Sequence, residues 1–96
     1  MKPIQFEWDE PKNQSNLAKH RVSFEEAETV FLDEWALMMD DPDPSRDEER
    51  FMMLGLSAQI RVLVVSFCYR QQDQIIRIIS ARKATKHEQR QYTEAR

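Results

Sequence analysis

Three segments with a two-residue period, at residues 49–56, 60–69 and 74–83, follow one another with only Ser57-Ala58-Gln59 and Arg70-Gln71-Gln72-Asp73 between them. Links this short cannot carry a crossover, so the strands they join must run antiparallel. Val62 to Phe67 is apolar at nearly every position, which predicts a central strand covered on both faces. A further segment from Trp35 alternates Trp35, Leu37 and Met39 with Ala36, Met38 and Asp40. Pro42 and Pro44 end it, because neither can donate to a ladder. The later part of the chain is therefore an antiparallel meander, and the earlier part has to cover it.

Residues 3–8 alternate as a short strand with Ile4, Phe6 and Trp8 on one face. Asp9 then suits an N-cap and Pro11 the first turn of a helix running to about His20. Leu17 and Ala18 are its apolar anchors, and Lys12, Asn13, Asn16, Lys19 and His20 form its polar face, so a surface helix with a narrow contact stripe is expected. Ser23-Phe24-Glu25-Glu26 reads as a capping box opening a second helix. Phe24, Ala27, Val30 and Phe31 face the core from it, and Val22 is placed to staple against Ala27. Thr85-Lys86-His87-Glu88 reads as a second capping box, opening a last helix with only Tyr92 and Ala95 to bury. The order β-α-α-β-β-β-β-α defines an α+β class, an antiparallel sheet packed by two early helices and a C-terminal one. A chain of 96 residues suits a single domain spanning 1–96.

Composition removes several kinds of chemistry. The one glycine, Gly55, excludes Gly-rich phosphate loops and the Gly-x-Ser-x-Gly elbow. His20 and His87 have no ligand partners at metal spacing, so no structural zinc is expected. Asp41-Pro42-Asp43-Pro44-Ser45 spaces oxygens two residues apart, but Arg46 stands where a calcium loop needs glycine, and a charged hairpin loop is the better reading. Neither metal nor cofactor is expected. Cys68, alone and inside an apolar strand, predicts a buried inert thiol and a reducing compartment. The N-terminal residues lack an apolar signal region, and the longest apolar stretch, broken by Ser66, is too short to span a bilayer. A cytoplasmic protein with no membrane partner is expected.

The net charge of −3 conceals an asymmetry. Residues 23–49 carry Glu25, Glu26, Glu28, Asp33, Glu34, Asp40, Asp41, Asp43, Asp47, Glu48 and Glu49 against Arg46 alone, whereas residues 50–96 are rich in arginine and lysine. Unless folding intermixes the two sets, one pole can meet a polyanion and the other a cationic protein. The basic set is densest in the last strand and helix, at Arg77, Arg82, Lys83, Lys86, His87, Arg90 and Arg96. Strict alternation puts Arg77 and Lys83 on one strand face and Ser80 and Arg82 on the other. Lys86 and Arg90, four apart, share a helix face. Cations at a strand–helix junction can grip phosphate. On composition alone, ordinary solvent-facing charges remain the competing reading.

Phe6-Glu7-Trp8-Asp9, Pro11-Lys12, Asn16-Leu17, Lys19-His20 and Val22-Ser23-Phe24-Glu25-Glu26-Ala27 resemble the opening signature of BrnT toxins. Ile76-Arg77-Ile78-Ile79-Ser80-Ala81-Arg82-Lys83-Ala84-Thr85, running on to Glu88, Arg90 and Tyr92, resembles a second signature, and Glu48-Glu49-Arg50 with Leu54-Gly55-Leu56 fits between them. The resemblance covers nearly the whole chain. It implies a RelE-like fold, metal-independent RNA cleavage that inhibits translation, and neutralisation by a BrnA-type antitoxin in a hetero-oligomer. DNA would be met only through that antitoxin, and mRNA, free or on the ribosome, would be the substrate. Arg21 departs from the family, which usually has glycine there; an arginine requires a linker that avoids positive φ or carries strain.

Cleavage of RNA through its own 2′-hydroxyl needs a base, a cation for the crowded phosphorane and an acid for the leaving oxygen. The resemblance turns His20, Glu49 and Glu88 into candidates for proton transfer and Lys19, Arg50, Arg77, Arg82 and Lys86 into charge stabilisers. Lys83, Lys86, Arg90 and Tyr92 are candidates for RNA binding, with Tyr92 and Tyr69 able to stack on a base. A non-catalytic RNA-binding or protein-interaction module is the alternative for the same cations.

Overall fold

The computed structural model describes residues 3–42 and 49–95. The aspartate-rich loop, from Asp43 to Glu48, lies outside the described residues. The elements run β1 (Gln5–Glu7), α1 (Glu10–His20), α2 (Phe24–Thr29), a 3₁₀ turn at Val30–Leu32, β2 (Leu37–Asp40), β3 (Phe51–Leu56), β4 (Val62–Arg70), β5 (Ile75–Lys83) and α3 (Lys86–Glu94). Among the described residues the strands form one sheet in the order β1-β5-β4-β3-β2. β2 to β5 are the expected antiparallel meander, but β1 joins the outer side of β5 in parallel, pairing Glu7 with Arg77. The sheet is thus mixed, because the two helices between β1 and the meander carry the chain back to start in the same direction as β5.

Local signals set the helix starts. Asp9 accepts the Lys12 N–H at 3.3 Å and Pro11 occupies the first turn of α1. Thr85 and Glu88 form a complete capping box at α3. At α2 only half of the expected box exists. The Ser23 hydroxyl accepts the Glu26 N–H, but the Glu26 carboxylate turns away, to Ser57 and Arg61.

The docking of α1 reverses its expected polarity. Leu17 and Ala18 are exposed, and the buried residues are Asn13 and Asn16. Asn13 accepts the Phe24 N–H at 2.8 Å and donates to the Glu25 carboxylate at 2.9 Å. Asn16 donates to the carbonyls of Val22 and Ala81, both at 2.8 Å, and accepts the Ala81 N–H at 3.1 Å. Two primary amides hold this helix, each with its hydrogen-bonding capacity met inside the protein. Arg21 follows in the left-handed region at φ 62°. Of the two courses open to a non-glycine residue here, the linker takes the strained one, at a cost of about 1–2 kcal/mol.

The core has two parts. On one sheet face Val22, Phe24, Ala27 and Val30 pack on Leu63, Val65, Phe67, Ile76, Ile78 and Ala81. Phe31 joins it, with its ring 5.0 Å from Phe67 and 5.3 Å from Phe6. On the other face Tyr92 of α3 packs on Leu54, Val64 and Ala84. Gly55 permits the 3₁₀ turn to lie close, since a Cβ there would sit 2.9 Å from both Ala36 and Val30 side chains. Among the described residues no helix is long and apolar enough to cross a membrane.

Candidate functional site

A bulge in β5 decides which side chains meet. Ser80 pairs with Ser66, but the next step along β4, Phe67, pairs with Ile78, so Ile79 is an extra residue in β5. The extra residue reverses the parity of the strand. Arg77, opposite Cys68, and Arg82, opposite Val64, therefore lie on the same face as Ser80 and Ser66. Strict alternation separates the two arginines and joins Arg77 to Lys83; the bulge corrects both expectations. Lys83, opposite Leu63, faces the other way.

The shared face is the one α3 packs against. That helix covers the end of the sheet at Leu54, Val64 and Ala84. Two further rows of side chains lie beyond it on the same face. One row runs through Ser80, Ser66, Met52 and Met39, which pair successively across the strands. The other holds Arg77 and Cys68, flanked by Glu7. Ser80 is exposed, Arg77, Ser66, Met52 and Met39 are partly so, and Cys68, in the row of Arg77, is buried. Arg50 immediately precedes β3, and its carbonyl accepts the Asp41 N–H at 3.0 Å. Continuing the β3–β4 register by one residue brings it level with Cys68, and so into the row of Arg77.

The two arginines of β5 differ in what holds them. Arg82 donates to both Glu88 oxygens, at 2.8 and 3.0 Å, and to the Lys83 carbonyl at 3.3 Å. Its pair ties β5 to the first turn of α3. Hydrogen bonds from Arg82, opposed by burial and aided by the Thr85 N–H, hold the Glu88 carboxyl down at about 2. Arg77 makes one hydrogen bond, to Glu7 at 2.7 Å, with the two side chains 33% and 38% exposed. Of five guanidinium donors, four therefore have no partner among the described residues.

The other candidates are dispersed. Glu49 is exposed beside Arg50, and Lys86 and Arg90 lie on the exposed surface of α3. Lys19 and His20 line a shallow depression between α1 and the outer edge of β5. Tyr92 is buried and donates to Asp33 at 2.6 Å, so it cannot stack on a base. Tyr69 packs between Phe51 and Phe67 on the opposite face. Glu88 is bound on both oxygens, which leaves it poorly suited to accept a substrate proton. Glu7 escapes a reading of the sequence as a site residue, because its partner is visible only with the parallel β1–β5 pairing. Among the described residues no cluster of three or more histidine, cysteine, aspartate or glutamate side chains is placed to hold a metal.

Fold and site define a small α+β protein that presents an arginine-bearing sheet face, a surface chemically matched to an anion. Residues 8–88 match the family model described as the ribonuclease toxin BrnT of type II toxin–antitoxin systems, and the chain belongs to that family. The crystal structure of the Brucella abortus ribonuclease toxin BrnT aligns with a TM-score of 0.64 and 27% identity, over 86% of this chain and 99% of that one. No curated protein matches significantly in sequence. Membership implies an RNA substrate and an antitoxin partner.

Proposed function

We propose that this chain is a metal-independent endoribonuclease that inhibits translation by cutting mRNA in the cytoplasm, as a RelE-like toxin does, and that a BrnA-type antitoxin silences it. The observation carrying the reading is Arg77, a partly exposed guanidinium fixed by one bond to Glu7, with four donors left for a phosphate.

In this scheme the scissile phosphate sits against Arg77, with Arg50 and Arg82 to either side. Glu7, the carboxylate already at Arg77, takes the proton of the 2′-hydroxyl. The 2′ oxygen attacks the adjacent phosphorus, the bond from phosphorus to the 5′ oxygen breaks, and that oxygen takes a proton from solvent. The products are a 2′,3′-cyclic phosphate and a 5′-hydroxyl. Arg77 stabilises the additional negative charge on the phosphorane, an effect that acts in the transition state and therefore raises kcat. Arg82 chiefly fixes α3 beside the site through Glu88.

The test is the cleavage rate of Arg77→Ala and Glu7→Gln on one RNA, with excess EDTA present throughout. Loss of a transition-state cation costs about a hundredfold or more, and loss of a proton acceptor about the same. Wild-type protein should keep its rate in EDTA and leave cyclic phosphate ends. Full activity in both variants would move the reaction elsewhere, and dependence on added metal would overturn metal independence.

A further inference from the structure

The outer edge of β5 carries a further inference, which rests on the reading above. β1 pairs only with Ile75 to Arg77, so farther along β5 another element occupies its outer edge. That element is α1. The Asn16 amide both donates to and accepts from the backbone of Ala81, as a neighbouring strand would. The helix is thereby fixed alongside the edge of the sheet. Between them lies a depression of about 210 Å³, lined on the helix by Lys12, Ser15, Asn16, Lys19 and His20 and on the strand by Ile79 and Ser80. Positions 12, 15, 19 and 20 fall on one side of a helix by its 3.6-residue period.

Two features mark it as a place for an anion. No carboxylate is among its lining residues. The side chains of Lys12, Lys19 and His20 have no partner among the described residues, whereas Arg61, Arg77 and Arg82 each hold a carboxylate. Ser80 belongs to both places, since it lies on the arginine-bearing face opposite Ser66 and also borders the depression. Three residues of strand, on the order of 10 Å, separate it from Arg77.

We propose that this depression holds a backbone phosphate of single-stranded RNA flanking the one at Arg77, so that the RNA bends round the edge of β5 between the two. Lys12 and Lys19 supply charge, and His20 and the two serines supply hydrogen-bond donors. Lys19 and His20 are then residues of substrate grip, remote from the reacting atoms. A positively charged groove that follows the backbone is the common means of holding single strands.

The experiment measures binding of a fully 2′-O-methylated RNA dodecamer, which cannot undergo 2′-hydroxyl attack, to the wild type and to Lys12→Ala/Lys19→Ala, across a range of salt. Saturating cleavage of unmodified RNA is measured in parallel. The double variant should bind about tenfold more weakly at low salt, and its log–log salt slope should fall by about 0.7 for each phosphate no longer neutralised. Its rate at saturation should fall less than threefold. Both lysines are exposed, and an unchanged unfolding temperature establishes that the variant is folded. Unchanged affinity and slope would overturn the proposal. So would a hundredfold loss of rate at unchanged affinity, which would put these lysines at the reacting atoms. Arg77→Ala separates the two readings: full cleavage by that variant removes the proposed centre, whatever the lysines do.

Discussion

Two arginine–carboxylate pairs lie toward opposite ends of β4 and serve different purposes. At its start, Arg61 holds Glu26, whose side chain is 2% exposed. The carboxylate accepts from Arg61 Nε at 3.0 Å, from Arg61 Nη2 and from the Ser57 hydroxyl at 2.7 Å, and Arg61 also donates to the Arg21 carbonyl. Toward its end, opposite Cys68, Arg77 holds Glu7 through one bond between two partly exposed side chains. The first pair joins α2, the β3–β4 turn and the α1–α2 link, and three of the five guanidinium donors are used in doing so. The second fixes the direction of a guanidinium and leaves most of its donors available. Counting ion pairs would treat them alike; burial and the number of unused donors separate a brace from a binding group. The Glu26–Arg61 pair also joins an acid of residues 23–49 to a base of residues 50–96, so folding partly intermixes the two charge sets.

The largest expected effect is at the brace. Arg61→Ala leaves the Glu26 carboxylate buried without its cation, which should cost about 3–5 kcal/mol of stability, read by urea unfolding. A loss below about 1 kcal/mol would show that the two ends do not differ in kind.

Acid tests the brace and the Arg82–Glu88 pair by titration. Burial raises the Glu26 carboxyl, but Arg61 and Ser57 outweigh it and the net shift is downward. Glu88 is lowered to about 2. A carboxyl lowered on folding contributes stability that is fully present above its unfolded value and lost as pH falls through its folded one. The unfolding temperature should therefore hold above the ordinary value of 4.5 and drop between there and about 2. Glu88→Gln should flatten part of that drop. An identical profile for the variant would remove Glu88 from the account.

The smallest effect is a gain. Ile60, 81% exposed, ends the β3–β4 turn at φ 63°, where a hairpin of this kind favours glycine. Ile60→Asn, which tolerates that conformation, should raise stability by about 0.5–1 kcal/mol and leave cleavage unchanged. Changed cleavage would mean that the brace end communicates with the arginine-bearing face.

What is legible in the sequence is what local chemistry determines. The strands of the meander follow from period and short links, and α1 and α3 start at caps readable within four residues. The common face of Arg77 and Arg82 is not legible, because a bulge at Ile79 exists only in the pairing of β5 with β4 and shifts every later side chain by one. Asn13 and Asn16 read as solvent-facing by residue type, yet backbone groups up to 65 positions away satisfy them. Glu26 reads as a cap partner, and a cation 35 positions on redirects it. Glu7 becomes a candidate only once β1 is seen beside β5. The site is a product of pairing, and pairing is what a pass along the chain sees least.

The most direct test measures single-turnover RNA cleavage per folded molecule for Arg77→Ala and Arg61→Ala under conditions where both remain largely folded. A crossing is expected. Arg77→Ala unfolds like the wild type but cleaves about a hundredfold more slowly, whereas Arg61→Ala unfolds more easily and cleaves at nearly the wild-type rate once the folded fraction is taken into account. Wild-type cleavage per folded molecule in Arg77→Ala would contradict it.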